Sequence, residues 1–457
     1  MSRTRYVSLI GLGFGDCGKG LFTDYLARTL NAHTVVRFNG GAQAGHNVVL
    51  PDGRHHTFSQ FGAGSFVDGV RTLLAAPIVV HPSALLFEAQ ALEKAGVRNA
   101  LDRILIDARC RVTTPFHQAA GRLREHVRGA DAHGTCGVGV GETVRHAIAH
   151  PDDCLRFGDL HGASRQRVAH EKLINIQHTL RHEIAALLAH PIPDDHALVH
   201  EWNLLCDDLI IERWLEQIQP VLQRVAAQPI DTLSKILHQP GTVVFEGAQG
   251  ALLDEWRGFH PHTTWSSVST HAVNDVLRDY GIATKAEHYG VLRSYLTRHG
   301  TGPFPTHDGA LYALTEPHNS DANWQGAFRR GHPDAVLLRY ALACVGALDG
   351  LAISHLDVFD RIGRLRWCDA YDAYDVSSTD ESKSAQKIHQ LNVSAQHDLT
   401  HQSQLTELLM RSTPCYDDEP IKNATDLLER FTHAANLPSC FSSSGNTHLQ
   451  VNALIAP

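Results

Sequence analysis

An aspartate and a lysine lie three residues apart inside the run Gly13-Phe14-Gly15-Asp16-Cys17-Gly18-Lys19-Gly20. Glycine lets backbone N–H groups approach phosphate oxygens, and a helix starting at the end of the run adds favourable potential for an anion. Two spacings are satisfied at once. Gly13, Gly15 and Gly18 make the GxGxxG dinucleotide pattern, and Gly13, Gly18 and Lys19 make the GxxxxGK phosphate loop. The first pattern needs a second strand ending in an acid that grips a ribose, yet residues 35–38 run into Asn39-Gly40-Gly41. The second lacks its metal-binding Ser or Thr, because Gly20 stands there. Asp16 is a poor neighbour for an anion unless it binds Mg²⁺ or takes a proton. Its bland alternative is to cap the next helix. The set favours a site that cradles a triphosphate and transfers its γ-phosphoryl.

The elements that must hold this loop follow from apolar patterning. A short apolar run at residues 6–10 reads as a strand leading into the loop, residues 21–30 as a helix, and residues 35–38 as a second strand. The pattern restarts at 243–245, with further β-like runs at 289–296 and 350–353. Alternation of this kind predicts an α/β fold with a large, mostly parallel central sheet flanked by helices and carrying a P-loop-like phosphate site. Residues 165–238 contain no glycine and space Leu173, Ile176, Leu180 and Ile184 at helical intervals, which predicts a helical insert. Residues 375–404 are polar and read as a surface insertion. With no repeat and no long linker, a single unit spanning 1–457 is expected.

Composition narrows the classes further. The 457 residues are 43% hydrophobic and 19% charged, an ordinary globular mixture. A formal charge of −9 argues against nucleic acid or a membrane surface as a partner. The most apolar window, 73–87, is interrupted by Pro77, His81 and Pro82, so no membrane span is expected. Nine cysteines without a CxxC pair read as reduced thiols of a cytoplasmic protein. Among the 32 histidines, His146 with His150 and His260 with His262 lie at metal-like spacings, but neither pair has an acid placed to complete a zinc site.

Further motifs follow in order: Gly40-Gly41-Ala42-Gln43-Ala44-Gly45-His46-Asn47, then Phe245-Glu246-Gly247-Ala248-Gln249-Gly250, then residues 297–306 (Thr-Arg-His-Gly-Thr-Gly-Pro-Phe-Pro-Thr), then His355-Leu356-Asp357. With the opening loop, these resemble the adenylosuccinate synthetase family. Its signatures read Gly-Asp-Glu-Gly-Lys-Gly, Gly-Gly-His-Asn-Ala-Gly-His-Thr, Phe-Glu-Gly-Ala-Gln-Gly, Thr-Arg-Val-Gly-x-Gly-Pro-Phe-Pro-Thr and Lys-x-Asp. The resemblance implies a homodimeric ligase that condenses IMP with L-aspartate at the expense of GTP, through a 6-phosphoryl intermediate, with Mg²⁺ as cofactor. It also implies roles. Asp16 is the base and a Mg²⁺ ligand, His46 the acid, Lys19 a neutraliser of phosphate charge, and Gln249 the holder of the purine near its 6-oxygen. The Gly45 carbonyl completes the metal set. Gly13, Gly15, Gly18, Gly20, Gln43, Thr135, Thr264, Asp357 and Gly445 contact nucleotide or phosphate. Trp324, Arg329 and Arg330 meet the amino acid, two arginines being enough for one bidentate carboxylate clamp.

The departures concern recognition. The family's monophosphate loop, Gly-Thr-Thr-Gly-Arg-Gly-Ile-Gly, is here Gly134-Thr135-Cys136-Gly137-Val138-Gly139-Val140-Gly141, with a hydroxyl and an arginine lost. No arginine stands at Asp152 or Asp153, just before Leu155-Arg156-Phe157-Gly158, where a dimer partner's arginine is expected to originate, and Arg145 is the nearest candidate after a short insertion. His355 replaces the lysine of the guanine-reading motif. The tryptophan-bearing segment Asn323-Trp324-Gln325-Gly326 looks like the branch acting on GMP or dGMP. Hence the same chemistry on GMP, dGMP or another 6-oxopurine nucleotide, with ATP as donor, stands as an alternative. A non-catalytic nucleotide-binding regulator is the reading from another class.

Overall fold

Strand Arg5–Gly11 is buried along all but its first residue, as a strand covered by helices on both faces must be. It pairs in parallel with Thr242–Glu246 on one side and Glu287–Arg293 on the other. The computed structural model describes residues 4–129, 132–188, 195–316, 326–373, 386–394 and 398–455. Outward from Thr242–Glu246 come Ala32–Arg37, Arg71–Leu74, Ile104–Asp107 and Ala227–Gln228. Outward from Glu287–Arg293 come Gly350–Ser354, Ser439–Ser443 and Val451–Ala453. Of these ten strands only the last joins antiparallel. The fold is therefore α/β around a large, mostly parallel sheet.

Two features differ from the sequence expectation. The run at 289–296 is not one strand. The first part belongs to the central sheet, while Leu296–His299 pairs antiparallel with Phe328–Gly331. The break falls at Ser294, whose hydroxyl donates to the His355 carbonyl at 2.6 Å. The polar stretch 375–404 also does not end as a surface insertion. Residues 374–385 and 395–397 lie outside the described residues, but helix Leu399–Arg411 starts at an Asp398 cap and buries Gln402, Leu405 and Leu409.

Helices Ala163–Leu187, His196–Cys206, Ile210–Arg224 and Ile230–Leu237 occupy the glycine-free stretch. The first two bury Leu173, Ile176, Leu180, Ile184 and Leu205 against Phe116 and Leu123 of helix Pro115–Arg128, and the third packs Trp214 on helix Pro82–Lys94, donating to Ser83 Oγ at 3.1 Å. Among the described residues, no helix is long and apolar enough to cross a membrane. The strands Arg5–Gly11, Ala32–Arg37, Thr242–Glu246, Glu287–Arg293 and Gly350–Ser354 all end along one edge, where open parallel sheets bind ligands.

Candidate active site

Along that edge runs a cleft of about 1150 Å³, lined by the glycine loop, residues 43–47, the 134–142 loop, Gln249, Thr264, Arg298, His299, His355, Asp357 and Gly445. Backbone packs directly on backbone beneath it. A Cβ placed on Gly250 would lie 2.1 Å from the Gly13 carbonyl oxygen, so the second glycine loop can nest against the first only without a side chain. A Cβ on Gly20 would meet the Asn47 carbonyl oxygen at 2.8 Å and the His46 Cβ at 3.1 Å. The absence of Ser or Thr at this position is thus steric: strand His46–Val49 occupies the space.

Helix Lys19–Thr29 begins here with Gly18 at φ 91° as its cap. No side chain caps it, which removes the capping reading of Asp16. Its first N–H groups stay available for an anion. Lys19 Nζ donates to the Gln249 carbonyl at 2.7 Å, tying the two loops together. Gln249 itself sits at φ 65°.

Asp16 also has a positive φ, 44°, and its side chain is 28% exposed toward the cleft. Its Oδ2 lies 3.2 Å from His299 Nε2, and its carbonyl accepts from Arg293 Nη1 at 3.1 Å. Burial opposes ionisation, but the His299 hydrogen bond and the charges of Arg293 and Lys19 prevail, holding the carboxyl below its usual range. Arg293 is buried and also donates to Tyr295 and Glu316.

His46 lies on the neighbouring strand with Nδ1 2.6 Å from Glu246 Oε1. The other Glu246 oxygen accepts from the Ala63 N–H at 2.9 Å, and the buried Arg37 supplies positive potential. These overcome the burial of Glu246 and keep it ionised. Burial is also the largest influence on His46 and lowers its pKa to about 4 despite the carboxylate. Nδ1–H therefore donates to Glu246, leaving Nε2 as the other ring nitrogen. Sequence reading missed Glu246 as a partner, although it lies inside the intact motif 245–250.

The remaining expected residues divide between the two ends of the cleft. Gln43 has a buried Oε1 with no hydrogen-bond partner, a vacancy that a ligand N–H can fill. Thr264 donates its hydroxyl to the Leu253 carbonyl at 3.1 Å. The Thr135 and Gly134 N–H groups are occupied by Glu125 Oε1, at 3.2 and 2.6 Å, so a carboxylate stands where this loop was expected to meet phosphate. Arg145 donates to Glu142 and Glu183 of its own chain. At the far end, the His355 Nδ1 lies 2.7 Å from Ser354 Oγ, and burial, aided by Arg293 and Arg361, keeps its ring neutral. Asp357 Oδ2 is 3.7 Å from Arg361, and burial outweighs that charge to raise its pKa. The Gly445 carbonyl accepts from Ser443 Oγ at 2.6 Å.

Arg329 and Arg330 are not brought together. Adjacent strand residues face opposite sides. Arg330 is buried and donates to the Leu314 and Phe328 carbonyls. Arg329 instead sits opposite Arg298 across the ladder, and burial lowers the pKa of both, that of Arg298 to about 9. Trp324 lies outside the described residues. His117 meets His146 edge to face and His146 meets His150 at a tilt, at 5.3 and 5.0 Å between ring centroids, but no cluster suited to a metal ion occurs among the described residues.

The family model for adenylosuccinate synthetase matches residues 8–446. The adenylosuccinate synthetase of Azotobacter vinelandii is 32% identical over 368 residues, covering 80% of each chain. That of Rhodococcus erythropolis is 31% identical over 390 residues, covering 84% of each. In structure, the fully ligated adenylosuccinate synthetase of Plasmodium falciparum is similar at a TM-score of 0.73 and 20% identity, with 100% of both chains covered. The succinoaminodeoxyadenylate synthetase of cyanophage S-2L, bound to dGMP and dATP as an energy donor, is similar at a TM-score of 0.61 and 16% identity. That match covers 99% of this chain and 96% of the other.

Proposed function

Because this chain belongs to the adenylosuccinate synthetase family and is a purine nucleotide ligase forming a C–N bond, we propose that it joins IMP to L-aspartate with GTP as phosphoryl donor. The observation that carries this reading is the convergence of three loops on one point. They bring an ionised Asp16, Lys19 at a helix N-terminus, and His46 held by Glu246 into one cleft.

In this reading Asp16 takes the N1 proton of the hypoxanthine, and the negative 6-oxygen attacks the γ-phosphorus as GDP leaves. Lys19 and the uncapped N–H groups of helix Lys19–Thr29 balance the phosphate charge. Gln249 holds the purine near its 6-oxygen, and His46, its ring fixed by Glu246, serves the moving phosphoryl as acid once the phosphate charge brought into the cleft draws a second proton onto Nε2. The aspartate amine then displaces phosphate at C6, giving adenylosuccinate. Arg329, on the face shared with Arg298, is the group suited to a carboxylate of the amino acid. The Asp16 carboxylate and the exposed Gly45 carbonyl are hard oxygen donors of the kind Mg²⁺ requires. Bound there, Mg²⁺ would offset phosphate charge. A homodimer in the cytoplasm goes with the same reading.

A second reading keeps the chemistry but takes GMP or dGMP as acceptor and ATP as donor. It is favoured by Glu125 on the N–H groups of Gly134 and Thr135, and by the neutral His355 in the motif that otherwise carries lysine. Phosphate release measured with GTP or ATP against IMP, GMP and dGMP, with and without aspartate, separates the two. Turnover in none of these mixtures would sink both and leave a nucleotide-binding regulator.

A further inference from the structure

His299 stands where the family signature has valine, and its ring reaches the one carboxylate on which the proposed chemistry depends. Strand Leu296–His299 sets the geometry. Its last residue pairs with Phe328 across the antiparallel ladder, and the two rings pack with centroids 4.5 Å apart. That contact fixes the plane of the imidazole. Nε2 then lies 3.2 Å from Asp16 Oδ2, while Nδ1 is buried with no hydrogen-bond partner. A buried ring nitrogen left without a partner is costly, so the ring is held there by Phe328 and by the bond at its other end. With Asp16 an acceptor, the ring carries a proton on Nε2 and donates it to Oδ2. Among the described residues, none donates to Oδ1 of Asp16, which keeps both its lone pairs for the cleft.

We propose that His299 is a positioning residue that occupies Oδ2 of Asp16 and so presents Oδ1 alone as the proton acceptor for the purine. The proposal rests on the reading of Asp16 as the base. A valine at 299 can pack on Phe328 but cannot donate, so Asp16 would be free to turn about its side-chain torsions. Misplacement of a reacting group on this scale costs roughly 10- to 100-fold in rate.

The test compares wild type with His299→Val and His299→Gln, in steady-state kinetics with a purine triphosphate, the acceptor nucleotide and aspartate. Crystal structures of wild type and His299→Val are compared alongside. His299→Val is expected to lower kcat by about 10- to 100-fold while leaving the KM for triphosphate within about threefold. His299→Gln, which restores an N–H donor, is expected to recover most of the loss. In the crystal structure of His299→Val, the Asp16 carboxylate is expected to leave its wild-type rotamer. A kcat unchanged in His299→Val overturns the proposal. So does an Asp16 carboxylate that stays in place, or a His299→Gln variant as slow as His299→Val with an unaltered melting temperature. If wild type turns over no substrate, the ligase reading fails, and the Asp16 rotamer still decides the role of His299.

Discussion

His46 Nδ1 and Glu246 Oε1 lie 2.6 Å apart, so two strands separated by 200 residues in the chain meet in one buried contact at the floor of the cleft. The carboxylate orients the imidazole, and Arg37, fully buried beneath it, supplies the counter-charge. Removing one member leaves the others uncompensated. Glu246→Gln is therefore expected to lower unfolding stability by about 3–5 kcal/mol, as loss of one partner of a buried pair does. Urea unfolding of wild type and variant measures this. An unchanged midpoint would mean that Arg37 finds its counter-charge elsewhere.

Asp16→Asn removes the proton acceptor while keeping size and the His299 contact. Turnover is expected to fall by about 10²- to 10⁴-fold. Triphosphate binding, read by calorimetry, should stay measurable because Lys19 and the helix N-terminus are untouched. Turnover near that of wild type would remove Asp16 from the base role.

Gly20→Ser would complete the phosphate-loop pattern on paper. Its Cβ would lie 2.8 Å from the Asn47 carbonyl oxygen, so strand His46–Val49 must shift. The expected result is a loss of about 1–3 kcal/mol in stability, typical of overpacking, and slower turnover rather than faster. A variant more active than wild type would show that the hydroxyl is tolerated.

Arg329 and Arg330 should separate cleanly by kinetics and melting temperature. Arg329→Ala is expected to raise the KM for the amino acid by about tenfold or more, in line with a charged hydrogen bond worth about 1.5–3 kcal/mol, with a smaller fall in melting temperature because the Gly302 carbonyl alone loses its donor at 3.0 Å. Arg330→Ala frees the Leu314 and Phe328 carbonyls and should lower melting temperature more. The reverse pattern would return the carboxylate clamp to Arg330.

Acid should destabilise the fold through a buried histidine. His81 caps helix Pro82–Lys94 by accepting from the Ala84 N–H at 3.3 Å, and burial lowers its pKa to about 4. The folded value lies below the unfolded one, near 6.5, so the unfolded chain binds the extra proton between them. The stabilisation is complete above about 6.5 and drains away as pH falls toward about 4, amounting to on the order of 2 kcal/mol between roughly pH 7 and 5. Melting temperatures across this range should fall less steeply in His81→Asn, which keeps a capping acceptor without titrating. Equal slopes would clear His81 of the effect.

The strands at 6–10 and 243–245, the helix after Gly18, and the glycine loops were legible because parallel strands buried on both faces are continuous apolar runs and glycine marks close backbone approach. The break at Ser294 was not, since Ser294 and Tyr295 interrupt an otherwise apolar run only through contacts with residues 354 and 355. Helix Leu399–Arg411 was hidden for a similar reason: its polar residues are excused by a single apolar stripe buried against the rest of the chain.

The sequence by itself determined which residue types face the cleft, because Asp16, Lys19, His46 and Gln249 sit in motifs whose spacing is local. Tertiary structure alone decided their partners. Glu246 reaches His46, His299 reaches Asp16, Glu125 reaches the Gly134 loop, and Arg329 and Arg330 part company. A hydrogen bond depends on direction and on a few tenths of an ångström. Those are set by strand register and by which loops pack across the sheet edge, and neither is written in the spacing of residues along the chain.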